Sequence, residues 1–350
     1  MTPRLRDIAR HAGVSEATVS RVVNNKPGVN ETTRRNVLAA IAEFRYESAG
    51  LRRADRAGLV GLLIPELGNP IFPAFAQVFT GLLAAQRFTT VLCTATVDGV
   101  SEEEYVDMLL DHGLSGLIVV SGKNADTTAD HSLYRGLAGR RLPMVFLNGS
   151  VTDVDSPVVS TDDAHAANIA VRHLAGLGHE AIGCAVGSSR YVPVQRRLQG
   201  YHQAMHELGL VPMVCESEFT VEGGEAASHQ LLDRGVTAII TASDLMALGA
   251  IRAAGERGLR VPADVSVVGY DDNMLLNFTD PALTSVRQPL SAMCTAAVSA
   301  LIDQINGVQR PTHELVFRGE LIVRASTALR RGSWVQPSNQ MLRTTEPISK

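Results

Sequence analysis

The chain has 350 residues, 45% apolar and 19% charged, an ordinary globular composition with length for two or three domains. It has no run of about 18 apolar residues, which excludes a membrane-spanning helix. The stretch from Met1 to Arg6 lacks the apolar run of a signal peptide, and Cys93, Cys184, Cys215 and Cys294 are too scattered for a disulfide framework or zinc knuckle, so a cytoplasmic protein is expected. The net charge of −4 hides an asymmetry: residues 1–57 carry 11 Lys/Arg against 6 Asp/Glu, leaving +5 there and −9 on the remainder. A basic head on an acidic body points to a polyanion-binding module joined to something else.

Three short helices are predicted within residues 1–46. Leu5, Ile8, Ala9 and Ala12 recur at helical spacing, and Gly13 supplies the residue that tolerates a sharp exit from a helix. Ser15 is placed as the N-cap of a second helix running to about Val23, with Val19, Val22 and Val23 inward and Glu16, Ala17, Ser20 and Arg21 outward. Past the Pro27-Gly28 loop, Asn30 is a second N-cap, and the third helix turns Val37, Leu38, Ile41 and Phe44 inward. Ile8, Ala12, Val14 and Val22 would fill the space between the first two helices, and small Ala9 would permit their close crossing. This is a helix-turn-helix pattern whose second helix would enter the major groove of duplex DNA. Glu16, Ala17 and Arg21 are the candidate base readers: a cytosine amine, a thymine methyl and a guanine edge are their natural partners. Thr18, Ser20, Asn24, Arg34 and Tyr46 suit backbone phosphates, which set register without reading sequence.

The run LRDIARHAGVSEATVSRVVN, Leu5 to Asn24, resembles the N-terminal signature of the LacI/GalR (lactose-repressor) family of transcriptional regulators. Asn30-Glu-Thr-Thr-Arg-Arg-Asn-Val37 and Ala42-Glu-Phe-Arg-Tyr46 are similar to that family's third helix and its end. The resemblance implies an operator-binding homodimer controlled by a small-molecule effector, with repression as the expected outcome. Residues 47–58 are polar and basic and form the linker. Family members carry Pro-Asn and an Ala-x-x-Leu hinge helix there, with leucines that wedge into the minor groove. Here Pro-Asn is missing and the segment is shorter, so Leu51 is the single candidate wedge, with packing on the body as its alternative. Arg52 and Arg53 are candidate minor-groove or phosphate contacts beside it.

From Leu59 the chain alternates short apolar runs (59–64, 91–95, 116–120, 144–147, 182–186, 238–241, 265–269) with helix-like stretches (72–86, 102–112, 164–177, 245–256). Continuous apolar strands at this spacing predict an α/β body with parallel sheets covered on both faces, too many strands for one sheet and so two doubly wound lobes. The resemblance implies a type I periplasmic-binding-protein-like arrangement over 59–330. One lobe would take about 59–158 and 289–318, the other about 159–288 and 321–327, with 331–350 as a tail lacking any leucine heptad.

Ligands in open α/β sheets sit beyond the carboxyl ends of the strands. That rule selects Asn69 and Phe72 in the run Glu66–Phe72, then Asn148, Asp162, Ser243 and Asp271; Arg197 and Phe219 would reach the cleft from nearby segments. Carboxylates, an arginine and aromatic faces suit a polyhydroxylated, sugar-like effector. The resemblance agrees at Arg197, Phe219, Asp271 and Ser243, the last replacing a more usual Asn. The alternatives are a sugar-binding receptor or an α/β enzyme acting on a sugar. The sequence has no G-x-G-x-x-G, Walker lysine or nucleophile elbow, and His202 and His206 lack a third metal ligand, so no enzyme, cofactor or metal is expected.

Overall fold

A computed structural model describes residues 5–23, 29–30, 32–40, 58–94, 99–308 and 312–330. In the head, α1 (Leu5–His11) and α2 (Glu16–Val23) are joined by a turn in which Gly13 takes φ 65°. Ser15 Oγ accepts the Thr18 amide at 3.2 Å and so starts α2; Asn30 Oδ1 accepts the Thr33 amide at 2.7 Å and starts α3, residues 32–40. Ile8, Ala9, Val19, Val22, Val37 and Ala40 form one buried cluster, with Ala12 and Val14 packed against it. The expectation for Leu38 fails: its side chain is 50% exposed. Val37 and Ala40, one helical turn apart, take the inner face, and Leu38 lies about 100° around the helix from Val37. Ile41 and Phe44 fall outside the described residues.

The body contains two six-stranded sheets. The first has the order β2-β1-β3-β4-β5-β11 and the second β7-β6-β8-β9-β10-β12. The strands of the first sheet are β1 (Gly58–Ile64), β2 (Phe88–Thr94), β3 (Leu114–Val120), β4 (Met144–Leu147), β5 (Val158–Thr161) and β11 (Glu314–Phe317). Those of the second are β6 (Ile182–Val186), β7 (Met213–Glu216), β8 (Ala238–Thr241), β9 (Ser266–Asp271), β10 (Thr284–Arg287) and β12 (Glu320–Ile322). Every pairing is parallel except β10 with β12. The central strands are buried along most of their length, as both-face coverage by helices requires.

In the first lobe α4 (Ile71–Ala85) and α11 (Leu290–Ile305) cover one face, while α5 (Glu102–Asp111) and α6 (Ser132–Gly139) cover the other. In the second lobe α7 (Asp163–Gly176) and α8 (Val192–Glu207) pack together, as do α9 (Val221–Asp233) and α10 (Asp244–Glu256). One boundary needs correction. The stretch from Val159 was expected to open the second lobe, but β5 pairs with β4 and β11 in the first sheet. The chain therefore crosses after Thr161, returns at Gln288-Pro289, and crosses again at Arg318-Gly319.

The α7–α8 crossing fixes the second lobe's geometry, and it depends on Gly200: a Cβ there would meet the Ala164 carbonyl oxygen at 2.1 Å. Gly200→Ala is expected to destabilise the protein by about 1–3 kcal/mol through forced helix separation. Gly136→Ala, at an exposed position of α6 with nothing within 4 Å, is expected to stabilise it by about 0.5–1 kcal/mol. Urea denaturation of the two variants checks this, and equal shifts would contradict the close crossing.

Candidate DNA-reading face and interlobe cavity

On α2, Glu16, Ala17 and Arg21 are all exposed along one side, while Val19 and Val22 are buried on the other. The stripe is available to a partner. Thr18 and Ser20 are half-buried beside it, and Thr18 Oγ1 lies 2.9 Å from Ser15 Oγ, within the cap that starts the helix. Arg34 is half-buried on α3. Asn24, Tyr46, Leu51, Arg52 and Arg53 lie outside the described residues.

Between the lobes, at the carboxyl ends of the strands, is a cavity of about 570 Å³. The structure brings seven of the eight selected residues to its wall: Asn69, Phe72 and Asn148 from the first lobe, Arg197, Phe219, Ser243 and Asp271 from the second. Asp162 is not among them. Its carboxylate caps α7, accepting the His165 amide at 3.0 Å, with Arg318 3.7 Å away. The next residue, Asp163, turns inward instead and is 2% exposed.

Asp163 holds Arg197 in place. Arg197 Nε donates to Asp163 Oδ1 at 2.8 Å, Nη1 donates to the Ala242 carbonyl, and the guanidinium lies 3.5 Å from the Tyr270 ring centroid. The Tyr270 hydroxyl donates to the same Asp163 oxygen at 2.9 Å. Burial pushes the Asp163 carboxyl above its ordinary range, and Arg197 and Tyr270 offset only part of that.

The remaining polar groups are also fixed by local bonds. Asn69 Oδ1 accepts the Ile71 amide at 3.3 Å at the start of α4. Asn148, at φ 57°, accepts the Thr161 amide and donates to Ser121 Oγ at 3.1 Å. Ser243 Oγ caps α10 by accepting the Met246 amide at 3.3 Å. Phe219 stands edge-on to Tyr191 with ring centroids 6.3 Å apart, and together they form an aromatic wall.

Several lining residues were not singled out from sequence. Gln288, in the second crossing, donates to Asp271 Oδ1 at 2.6 Å and accepts from Thr161 Oγ1 at 2.8 Å. Glu66, Arg190 and Tyr191 also face the cavity. Extending the strand-end rule to β6 would have found Arg190 and Tyr191; nothing in the local pattern marks Gln288. At the cavity's mouth the lobes are clasped. Asp126 pairs with Arg190 at 3.3 Å, Thr127 donates its amide and its hydroxyl to the Arg190 carbonyl at 2.9 and 2.8 Å, and Asp126 and Tyr191 form an antiparallel bridge.

A helix-turn-helix head with an exposed stripe on its second helix, on a two-lobed body with a strand-end cavity, defines a ligand-responsive DNA-binding regulator. Residues 4–48 match the family described as bacterial regulatory proteins, lacI family, and residues 171–327 match the periplasmic binding protein-like domain. The chain is 51% identical over 345 residues to the HTH-type transcriptional regulator reg1 of Streptomyces lividans, covering 96% of this chain and all of that one. Among solved structures it is similar to the transcriptional regulator CelR–cellobiose complex, at 31% identity and TM-score 0.69, covering 93% of this chain and 99% of that one. It is also similar to the lac repressor dimer bound to operator and the anti-inducer ONPF, at 28% identity and TM-score 0.70, covering 94% and 100%. The chain belongs to the LacI family of DNA-binding transcriptional regulators. Among the described residues, no helix is long and apolar enough to cross a membrane.

Burial raises the Asp271 carboxyl to about 7, only partly opposed by Arg197 and Gln288. A carboxyl raised on folding retains its proton in the native state, so its cost appears as pH rises from about 4 to about 7. Asp271→Asn keeps an acceptor for Gln288 and is expected to stabilise the protein relative to wild type by on the order of 2 kcal/mol at pH 8, with little difference at pH 4.5. Denaturant titrations at the two pH values measure this; a difference independent of pH would contradict it.

Proposed function

We propose that this regulator acts as a repressor-type homodimer whose operator affinity is set by a sugar-like effector in the interlobe cavity. The observation that carries the proposal is the cavity wall, where aromatic faces of Phe72, Tyr191 and Phe219 alternate with fixed polar groups at the ends of strands from both lobes. Rings cover the apolar faces of a sugar, and oriented donors and acceptors read its hydroxyls. Because the wall comes from both lobes, an effector favours one lobe orientation and so changes the spacing of the two heads. A coupling of about 1–3 kcal/mol alters operator affinity roughly 5- to 150-fold.

In this reading Glu16, Ala17 and Arg21 contact base edges, while Thr18, Ser20, Asn24, Arg34 and Tyr46 contact the backbone. Leu51, Arg52 and Arg53 serve the minor groove. The homodimer face includes the turn Met274–Phe278, where Met274, Leu275 and Phe278 are 74%, 61% and 82% exposed, an apolar set that calls for a partner. The cavity binds and does not catalyse: Arg197 and Asp163 are committed to each other. The protein works in the cytoplasm, on the nucleoid when bound to DNA.

Arg21→Ala is expected to cost about 1–3 kcal/mol of operator binding and to relax preference at one base pair, whereas Arg34→Ala weakens binding to all sequences alike. Binding to a single-substitution operator library distinguishes them, and uniform loss in both variants would remove the base-reading role. Phe278→Glu is expected to shift the protein towards monomer and reduce operator affinity at least about tenfold, since one small head alone buries too little surface. Sedimentation that leaves this variant dimeric would place the dimer face elsewhere.

A further inference from the structure

We infer that the interlobe cavity selects an uncharged polyol and rejects its phosphorylated or carboxylated counterpart, with Glu66 as the selecting group. The inference rests on the cavity being the effector site and specifies the chemistry of what enters it.

Both cations of the wall already have a carboxylate partner. Arg197 is held by Asp163 and the Tyr270 ring, and its side chain is 13% exposed. Arg190 is paired with Asp126 and donates to the Tyr191 hydroxyl at 2.8 Å. Neither partner carboxylate lines the cavity, and no lysine does. Several first-turn amides at the helix starts beside the cavity are already taken or missing. On α4 the Ile71 amide is taken by Asn69 Oδ1 and Pro73 has no N–H; on α8 Pro193 has none; on α10 Ser243 accepts the Met246 amide.

The carboxylates are placed differently. Glu66 follows β1 and faces the cavity half-buried, with no hydrogen bond or ion pair among the described residues. Burial pushes its carboxyl above the ordinary value with no cation to lower it. Glu218 also lines the cavity, from the second lobe. A carboxylate accepts hydrogen bonds only, so two neighbouring hydroxyls satisfy Glu66, whereas a phosphate or a second carboxylate there meets like charge in a partly desolvated site.

Calorimetric titration of the full-length protein tests this with three matched pairs: glucose and glucose 6-phosphate, ribose and ribose 5-phosphate, cellobiose and cellobionate. At least one neutral member is expected to bind, at least tenfold more tightly than its anionic partner, and Glu66→Gln is expected to narrow that ratio below threefold. An anion binding as tightly as its neutral partner, a ratio unchanged in Glu66→Gln, or no binding by any neutral member overturns the inference. Phe72→Ala separates the two levels: if it weakens binding while Glu66→Gln leaves the ratio unchanged, the charge selection alone fails. If a sugar binds and neither variant alters its dissociation constant, the cavity is not the effector site.

Discussion

The second lobe's cleft face is organised around one buried guanidinium. Arg197 brings together the first turn of α7 through Asp163, the end of β8 through the Ala242 carbonyl, and β9 through the Tyr270 ring. Taking a charge out of water costs several kcal/mol, and only near-complete pairing offsets it, so this side chain has essentially one acceptable place. The close α7–α8 crossing at Gly200 puts it there, since Arg197 sits three residues earlier on the same helix. The Asp163 oxygen that takes Arg197 also takes the Tyr270 hydroxyl, so loss of Asp163 removes the shared acceptor of two buried donors at once. Asp271, next to Tyr270 in sequence, is thereby fixed at the cavity wall.

Much of this was legible in the sequence because it depended on local rules. The turn glycine, two caps and inward valines of the head set the rotation of α2, and the exposed stripe follows from that rotation. Apolar runs without alternation marked the parallel strands, and the strand-end rule then selected seven residues that line one cavity. The failures occur where a neighbour one step away competes for the same role. Asp162 and Asp163 are both carboxylates at a helix start; backbone geometry gives the cap to the first and turns the second inward, and sequence alone does not separate them. Leu38 and Val37 compete in the same way on α3. The sheet that claims β5 is decided by pairing with β4 and β11, the latter about 155 residues further along the chain, which no local pattern encodes. Gln288 was missed because a glutamine in a connection has no periodicity; its importance comes from the two strand ends it reaches.

Those strand ends explain how events in the cavity reach the relative placement of the lobes. Gln288 lies in the middle crossing and joins Thr161, at the first crossing, to Asp271 on the wall. Beside the crossings, Arg196 on α8 forms a two-pronged pair with Glu314 on β11, one lobe to the other. At the opposite side, the clasp uses the backbone of Arg190 and Tyr191, whose side chains face the cavity. A molecule that packs on the Tyr191–Phe219 wall and also touches Phe72 must therefore contact groups whose spacing is set by the clasp and by the crossings. Its binding free energy differs between lobe orientations for that reason. By thermodynamic reciprocity, anything that fixes the heads at one spacing changes affinity in the cavity by the same factor. DNA and effector need not touch to oppose or support each other; they need only prefer different separations across the same three crossings.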